Sequence, residues 1–223
     1  MASNELAAAI IPGSKAPSSS TPASQQQAQV NTDTKSTPVY FWKPDQGNGY
    51  LGQWYWSPFT HEDDTYKTAE MWMMVQKARL FGDEAVATKM LATTDPKRHK
   101  ALGREVKGFQ EEVWNARTLI LPFASILCSS RFPSTGSDSD AGKMGIVTEG
   151  NMHKFTVSED AENLRNMLLA TGSRELVEAS PLDRIWGVGF AERNAGSNRH
   201  RWGQNLLGKA LMDVREKLRP DMA

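Results

Sequence analysis

The stretch "YKTAEMWMMVQKAR", residues 66–79, places one acidic side chain in a segment that is otherwise rich in Met and Trp. Thr68 is a favoured N-cap residue, so the stretch predicts a helix over residues 69–81. Glu70 is then the second helical residue, where the helix dipole favours the charged carboxylate. Lys77 follows seven residues later on the same face. The stretch therefore combines the composition of a buried helix with polar groups that a core does not require.

The spacing of these polar residues allows two readings. In the first, Glu70 only complements the helix dipole, and Lys77 extends its ammonium group past an apolar stem into solvent. In the second, Glu70 lies in an aromatic-rich cleft with Lys77 and the neighbouring Gln76, and its carboxylate holds a water or a sugar hydroxyl. Both readings stay open on spacing alone.

Composition excludes several classes of protein. The 223 residues include 26 basic and 26 acidic ones, so bulk charge does not indicate a nucleic-acid or membrane surface. The longest apolar run, residues 118–128, contains Pro122 and is too short to span a membrane. The single cysteine, Cys128, excludes an internal disulfide and favours an intracellular protein, cytoplasmic or nuclear. The scattered histidines lack metal-ligand spacing, so neither a metal nor another cofactor is predicted.

Two segments differ from the rest in composition. Ser, Thr, Pro, Gln and Ala fill 24 of the first 36 positions, which predicts a disordered tail over residues 1–38 and a domain over residues 39–219. Residues 118–142 interrupt a helical pattern, because joining Arg117 to Lys143 restores one continuous helix. These residues are interpreted as an inserted loop, either natural or a translated intron.

The remaining pattern predicts an α+β fold, a mainly helical single domain with a small sheet. "VYFWK" and "YLGQWYW", separated by the turn "GNG" at 47–49, predict two strands. Helical patterns cover the following residues: 69–81, 84–92, 96–105, 109–117, 143–155, 159–171, 174–179 and 204–219.

The stretch "LVEASPLDRIWGVGF", residues 176–190, is the second candidate for chemistry. Asp183 lies three residues before Trp186, whose ring could stack on a base. Gly187 permits a close approach of backbone and ligand. The alternative is that Asp183 only caps a short turn.

The stretch "ERNAGSNRHRWGQNLLGKALMDVREKL", residues 192–218, is the third candidate. Arg193, Arg199 and Arg201 precede the last predicted helix, and Asn205 lies near its cap. Arginines beside free helix amides favour a phosphate site. The alternative is a solvated basic loop.

Together these stretches resemble the YbiA-like family, also called the NADAR domain. "TAEMWMMVQKA" resembles the Ser-Glu-then-Gln-Lys helix of that family, and "ALGREV" resembles its Gly-Arg element. "LLATGSRELVEASPLDRIWGVG" and "WGQNLLGKALMDVREKL" match almost throughout. The resemblance covers roughly residues 39–219 and implies the YbiA-like fold.

The resemblance also implies an activity, because characterised members cleave N-glycosidic bonds. Their substrates are phosphoribosylated pyrimidine intermediates of riboflavin synthesis or ADP-ribosylated guanine. The partner is therefore expected to be a nucleotide-like small molecule or an ADP-ribosylated nucleic-acid base. The alternative is a module that binds ADP-ribose or an NAD metabolite without turnover. A protein that only binds could lose its catalytic carboxylates, whereas this chain keeps two candidates, Glu70 and Asp183.

By resemblance, Glu70 and Asp183 become the catalytic carboxylates. The substrate-binding residues implied with them are Trp54, Gln76, Lys77, Arg104, Trp186, Gly187, Arg193, Arg199, Arg201 and Asn205. One departure concerns "QWY", residues 53–55, where many members have Ser-Asn-Phe. This difference leaves the preferred base open.

Overall fold

A computed structural model describes residues 37–115 and 141–220. The predicted tail lies outside these ranges except for its last two residues. The predicted insertion, residues 118–142, also lies outside them except for its last two residues, which begin a helix.

Helices dominate the described residues, and the strands are short. The elements are, in chain order, β1 (Val39–Phe41), β2 (Phe59–His61), β3 (Asp64–Tyr66), α1 (Ala69–Leu80), α2 (Glu84–Leu91), α3 (Pro96–Glu105), α4 (Glu111–Asn115), α5 (Ala141–Thr156), α6 (Ala161–Ala170), β4 (Leu176–Glu178), α7 (Glu192–Ala195) and α8 (Leu206–Leu218). Short 3₁₀ turns cover Gly49–Leu51 and Gly196–Arg201. The predicted α+β class, mainly helical with a small sheet, is confirmed.

The strand predictions were partly wrong. β1 forms as expected, but its partner is β4, which runs parallel to it with Phe41 opposite Glu178. The sequence assigned residues 174–179 to a helix, because a three-residue strand shows no clear period and its partner is remote in sequence. The predicted second strand is replaced by the 3₁₀ turn at Gly49–Leu51 and further turns. The hairpin of β2 and β3 was not predicted.

Helix α1 forms the centre of the core and begins where its cap predicts. The Thr68 side chain accepts a hydrogen bond from the N–H of Met71. Trp72 is almost fully buried between the β2–β3 hairpin and α5, and its indole N–H donates to the carbonyl of Ile146 at 3.0 Å. Burying a large apolar side chain contributes about 1.5–3 kcal/mol, so this helix is a main source of stability.

A buried lysine on α5 fixes the segment between β1 and β2. Lys154 is fully buried, and its ammonium group donates to the carbonyl of Gly52 at 2.9 Å. Asn151, on the same helix, donates to the side chain of Gln53. Burial lowers the pKa of Lys154 to about 7. These contacts hold the turn that carries Trp54.

The start of α8 is tied to β4 by one side chain. Asn205 adopts a left-handed conformation with φ of 52°. Its amide oxygen accepts from the N–H of Glu178 at 3.0 Å, and its amide nitrogen donates to the carbonyl of Leu176 at 2.9 Å. Gly208 lets the helix lie directly against that carbonyl, which a Cβ at this position would overlap.

Replacing Gly208 by Ala tests this close packing. Glycine to alanine in a helix normally gains about 1 kcal/mol. Here the added methyl group overlaps backbone and the Asn205 amide, so we expect a loss of about 1–3 kcal/mol. Urea denaturation monitored by circular dichroism measures the change.

The matched control is Gly103→Ala in α3. There the nearest atoms to an added methyl group belong to the flexible side chain of Met74, so a smaller loss is expected. A Gly208→Ala variant as stable as wild type would show that α8 does not depend on this contact with β4.

Candidate active site

Glu70 lies in the first turn of α1 and is buried, with 6% of its surface exposed. Its backbone N–H donates to the carbonyl of Gln53 at 3.0 Å. The indole N–H of Trp54 donates to its carboxyl group. The turn fixed by Lys154 therefore covers this carboxyl group and supplies a hydrogen-bond donor to it.

Burial decides the protonation of Glu70. Loss of hydration raises its pKa from 4.5 to about 7, opposed by the Lys100 ammonium and the Trp54 N–H and reinforced by the charge of Asp183. This rise corresponds to roughly 3 kcal/mol, whereas a helix dipole contributes about 0.3–1 kcal/mol. Burial therefore outweighs the helix dipole, which favours the charged form, and Glu70 is partly protonated near neutral pH. A carboxyl group that titrates near neutral pH suits acid–base catalysis.

Asp183 lies in the loop after β4, where it caps a turn and lies near two other carboxyl groups. Its Oδ1 accepts from the N–H groups of Ile185 and Trp186 at 2.9 and 2.8 Å, which is the turn-capping role. Its charge also raises the pKa of Glu70 and of Glu178, so it lies near both carboxyl groups. Asp183 can therefore cap this turn and still lie close to Glu70 and Glu178.

Glu178, the last residue of β4, was missed by sequence reasoning. Its pKa rises to about 8, first through burial and then through the charges of Asp183 and Glu70, while Lys100 opposes the rise. Its Oε2 is buried and has no hydrogen-bond partner within the described part of the chain. The sequence did not point to Glu178, because its pattern predicts a helix over residues 174–179, whereas the structure has a strand there. Read as a strand, they place this acid at the carboxyl end of the parallel pair.

Lys100, on α3, is the second residue that was missed. Its charge lowers the pKa of both Glu70 and Glu178, so it lies close to both. The predicted Arg104 follows it by one helical turn, on the same face of α3, and is exposed. We call Glu70, Glu178, Asp183 and Lys100 the carboxylate cluster.

Three predicted binding residues mainly shape the frame around this cluster. Trp186 is half-buried against the main core. Gly187 packs against the chain itself, because a Cβ there would lie 2.7 Å from the carbonyl of Glu178. Both polar atoms of the Asn205 amide are used by β4. The close approach predicted at Gly187 is thus between two backbone segments.

Gln76 and Lys77 lie in the second half of α1 and make other contacts. The amide of Gln76 donates to the Tyr66 hydroxyl at 3.4 Å. Lys77 donates to the carbonyl of Gly103 at 2.7 Å, and its ammonium lies 4.0 Å from the centre of the Phe109 ring. The structure thus ties Gln76 to β3, and Lys77 to α3 and the loop that follows it.

The predicted anion site at the start of α8 does not form as expected. The N–H groups of Leu206 and Leu207 donate to the carbonyls of Ile185 and Trp186, so the loop carrying Asp183 occupies them. Arg199 pairs with Glu175 at 2.6 Å. The predicted Arg201 is exposed, and its guanidinium lies 5.6 Å from the centre of the Phe190 ring.

Arg193 has different surroundings. It lines an open cavity of about 430 Å³ with Trp42, Gln46 and Glu192. Phe41 and Ala179, at the carboxyl ends of β1 and β4, also line this cavity. It therefore opens at the same end of the small sheet as Glu178.

Two absences hold for the described ranges, residues 37–115 and 141–220. No helix in them is long and apolar enough to cross a membrane. Their His, Cys, Asp and Glu side chains form no group of three or more that could hold a metal ion.

Comparisons with known proteins agree on one family. The family model of the NADAR domain matches residues 40–121 and 130–219. An N-glycosidase of Acanthamoeba polyphaga mimivirus is 37% identical over 154 residues, which cover 68% of this chain and 74% of that protein. An N-glycosidase of Nostoc punctiforme is 32% identical over 183 residues, covering 81% and 92%. A riboflavin biosynthesis protein of Vibrio vulnificus is 29% identical over 190 residues, covering 85% and 41%.

A solved structure shares the fold. The NMR structure of the Escherichia coli protein YbiA aligns with a TM-score of 0.53 and 23% sequence identity. The alignment covers 82% of this chain and 85% of that one.

Replacing Glu70 or Glu178 by Gln is expected to stabilise the fold at roughly pH 8 but much less at roughly pH 5. A carboxyl group whose pKa is higher in the folded than in the unfolded chain binds its proton more tightly when folded. Stability therefore falls as the pH rises from 4.5 toward the folded pKa. For Glu70 the loss is on the order of 3 kcal/mol. Denaturation of wild type and variants at both pH values measures it.

Glu175→Gln is the matched control, because Glu175 lies just before β4 in a partly exposed ion pair with Arg199. Such pairs contribute about 0–1 kcal/mol, so this variant should differ little from wild type. Equal stability changes at both pH values for the two site variants would contradict the assignment of proton-holding carboxyl groups.

Proposed function

This chain is a member of the NADAR domain family, and on that premise we propose that it hydrolyses the N-glycosidic bond of phosphoribosylated or ADP-ribosylated bases. The observation that carries the proposal is the pair of buried carboxyl groups, Glu70 and Glu178, that titrate near neutral pH around one cation. The N-glycosidases that are similar to this chain support the same reaction class. The candidate substrates are pyrimidine intermediates of riboflavin synthesis and ADP-ribosylated guanine, free or in nucleic acid.

N-Glycoside hydrolysis passes through a state with positive charge on the ribose ring. Carboxylates close to the ring stabilise that charge, and the carboxylate cluster brings Glu70 and Asp183 close to each other. We assign Glu70 to the ribose hydroxyls and to the attacking water. Asp183 either shares this work or protonates the leaving base. No metal or cofactor enters these steps.

The base and the phosphate need separate partners. Trp54 has 37% of its surface exposed while its N–H contacts Glu70, so its ring offers a face on which a base can stack beside the reacting bond. Its neighbours Gln53 and Tyr55 are half-buried, which makes Trp54 the member of the unusual "QWY" sequence best placed for the base. Arg193, in the open cavity beside β1, is the arginine proposed for phosphate.

The alternative of a binding module without turnover is less consistent with the site. Binding alone gains nothing from carboxyl groups whose burial costs stability, whereas acid–base catalysis uses their raised pKa. We further propose a cytoplasmic place of action, as the single cysteine favours.

Glu70→Gln keeps the shape of the side chain and removes its acid–base function. We expect hydrolysis to fall by about 10²-fold or more, the usual scale for such a group, while ligand binding largely survives. Incubation with phosphoribosyl pyrimidines and ADP-ribosylated guanosine, followed by mass spectrometry of the released base, measures turnover.

Glu84→Gln is the matched control, since Glu84 is an exposed acid in the first turn of α2. It shares the position of Glu70 at a helix start but not its burial, so its turnover should stay at the wild-type level. If Glu70→Gln kept the wild-type turnover, the catalytic assignment would be wrong and Glu70 would only complement the helix dipole.

Phosphorylated ribosides should bind more tightly than their dephosphorylated forms, and Arg193→Gln should narrow this gap. A charge-assisted hydrogen bond contributes about 1.5–3 kcal/mol, so the gap should shrink roughly tenfold or more. Isothermal titration with both ligand forms measures it. Arg98→Gln, on the exposed face of α3, is the control and should leave the gap unchanged. An unchanged gap in Arg193→Gln would place the phosphate elsewhere.

A further inference from the structure

Glu178 is a half-buried residue with a buried carboxyl oxygen, and the mechanism above assigns it no step. Its backbone is held on both sides: the N–H donates to the Asn205 side chain, and the carbonyl accepts from the N–H of Val188 at 3.0 Å. Its side chain therefore extends from a fixed position at the end of β4. Its Oε2 is buried without a hydrogen-bond partner within the described residues.

An unpartnered buried carboxyl oxygen is costly for the folded chain, so its presence suggests a partner that arrives with the substrate. The groups that act on it come from three elements: Glu70 on α1, Asp183 in the loop after β4, and Lys100 on α3. Two carboxyl groups and burial disfavour a charge on Glu178, and a single ammonium group opposes them. Glu178 is therefore the member of the cluster best suited to keep a proton.

Asp183 is suited to another task. One of its oxygens already accepts two backbone N–H groups, and its side chain is half-exposed. It is thus fixed as an acceptor at the edge of the cluster, where it can face the positive charge that develops on the ribose.

We propose that Glu178 is the general acid that protonates the leaving base, while Glu70 takes a proton from the attacking water. This proposal rests on the proposed hydrolysis and resolves the role left open for Asp183. As the bond between C1′ and the base nitrogen breaks, its electron pair stays on nitrogen, which receives the proton of Glu178. The water oxygen bonds to C1′ and gives its proton to Glu70. Transfer of that proton to Glu178, directly or through water, restores the starting state.

The first test is the pH dependence of kcat for wild type, Glu178→Gln and Glu178→Asp, with a phosphoribosyl aminopyrimidine and ADP-ribosylated guanosine as probes. Wild-type turnover should fall as the pH rises through about 8, where the acid loses its proton. Glu178→Gln should lose about 10²-fold or more at neutral pH and should lack this fall. Glu178→Asp should recover part of the rate, because it keeps an ionisable carboxyl group.

The second test varies the leaving group. A phosphorylated para-nitrophenyl riboside releases a stable anion that needs no proton, so Glu178→Gln should lose less than about tenfold with it. Glu70→Gln should be impaired with both kinds of leaving group, because each needs activated water. Glu175→Gln is the control for a general effect of changing an acid beside β4 and should behave like wild type.

The outcomes separate the two proposals. If Glu178→Gln keeps the alkaline fall and loses the same factor with both leaving groups, Glu178 only shapes the site and its role as acid is overturned. Inactivity of Glu70→Gln would then still support the proposed hydrolysis. If wild type releases no base from any probe, the proposed function fails, and the role of Glu178 fails with it. Thermal denaturation of Glu178→Gln distinguishes lost chemistry from lost folding.

Discussion

The positions of Glu178 and Asp183 in the site depend on the hydrogen bonds of the Asn205 side-chain amide. It closes hydrogen bonds to both the N–H of Glu178 and the carbonyl of Leu176, and so joins the start of α8 to β4. The left-handed backbone that this requires is one that asparagine tolerates better than most residues. The loop with Asp183 then fills the space between them and covers the first amides of α8. Two carboxyl groups are thus held by backbone contacts rather than by a ligand.

The part of the site around Glu70 differs, because it contains ionisable groups that are buried away from water. Lys154 and Glu70 are both buried, and burial shifts their pKa values in opposite directions, to about 7 in each case. The carboxyl group favours folding less as the pH rises above 4.5. The amine, with a lowered pKa, favours folding less as the pH falls from 10.5 toward its folded value. Their costs to stability therefore overlap near neutral pH.

Sequence reasoning succeeded where the signal was local. Thr68 as a cap, Glu70 beside it and the predicted helix at residues 204–219 depend on neighbours within a few residues, and the structure shows these elements. It failed at β4, whose partner lies at the other end of the domain, and so it missed Glu178. Lys100 was missed because only the fold brings α3 to the carboxyl groups. Lys77 was selected because a lysine is unusual in such a helix. The structure explains its presence by the hydrogen bond that its ammonium group donates to a backbone carbonyl of α3.

The carboxylate cluster draws on both ends of the domain. Glu70 and Lys100 come from the region before residue 116, whereas Glu178 and Asp183 come from the region after residue 140 and are held in place by the start of α8. A chain emerging from the ribosome therefore lacks Glu178 and Asp183 until the region after residue 140 has been synthesised. The carboxylate cluster is complete only after α8 has docked on β4, because Asn205 at the start of α8 holds the backbone of Glu178 in place.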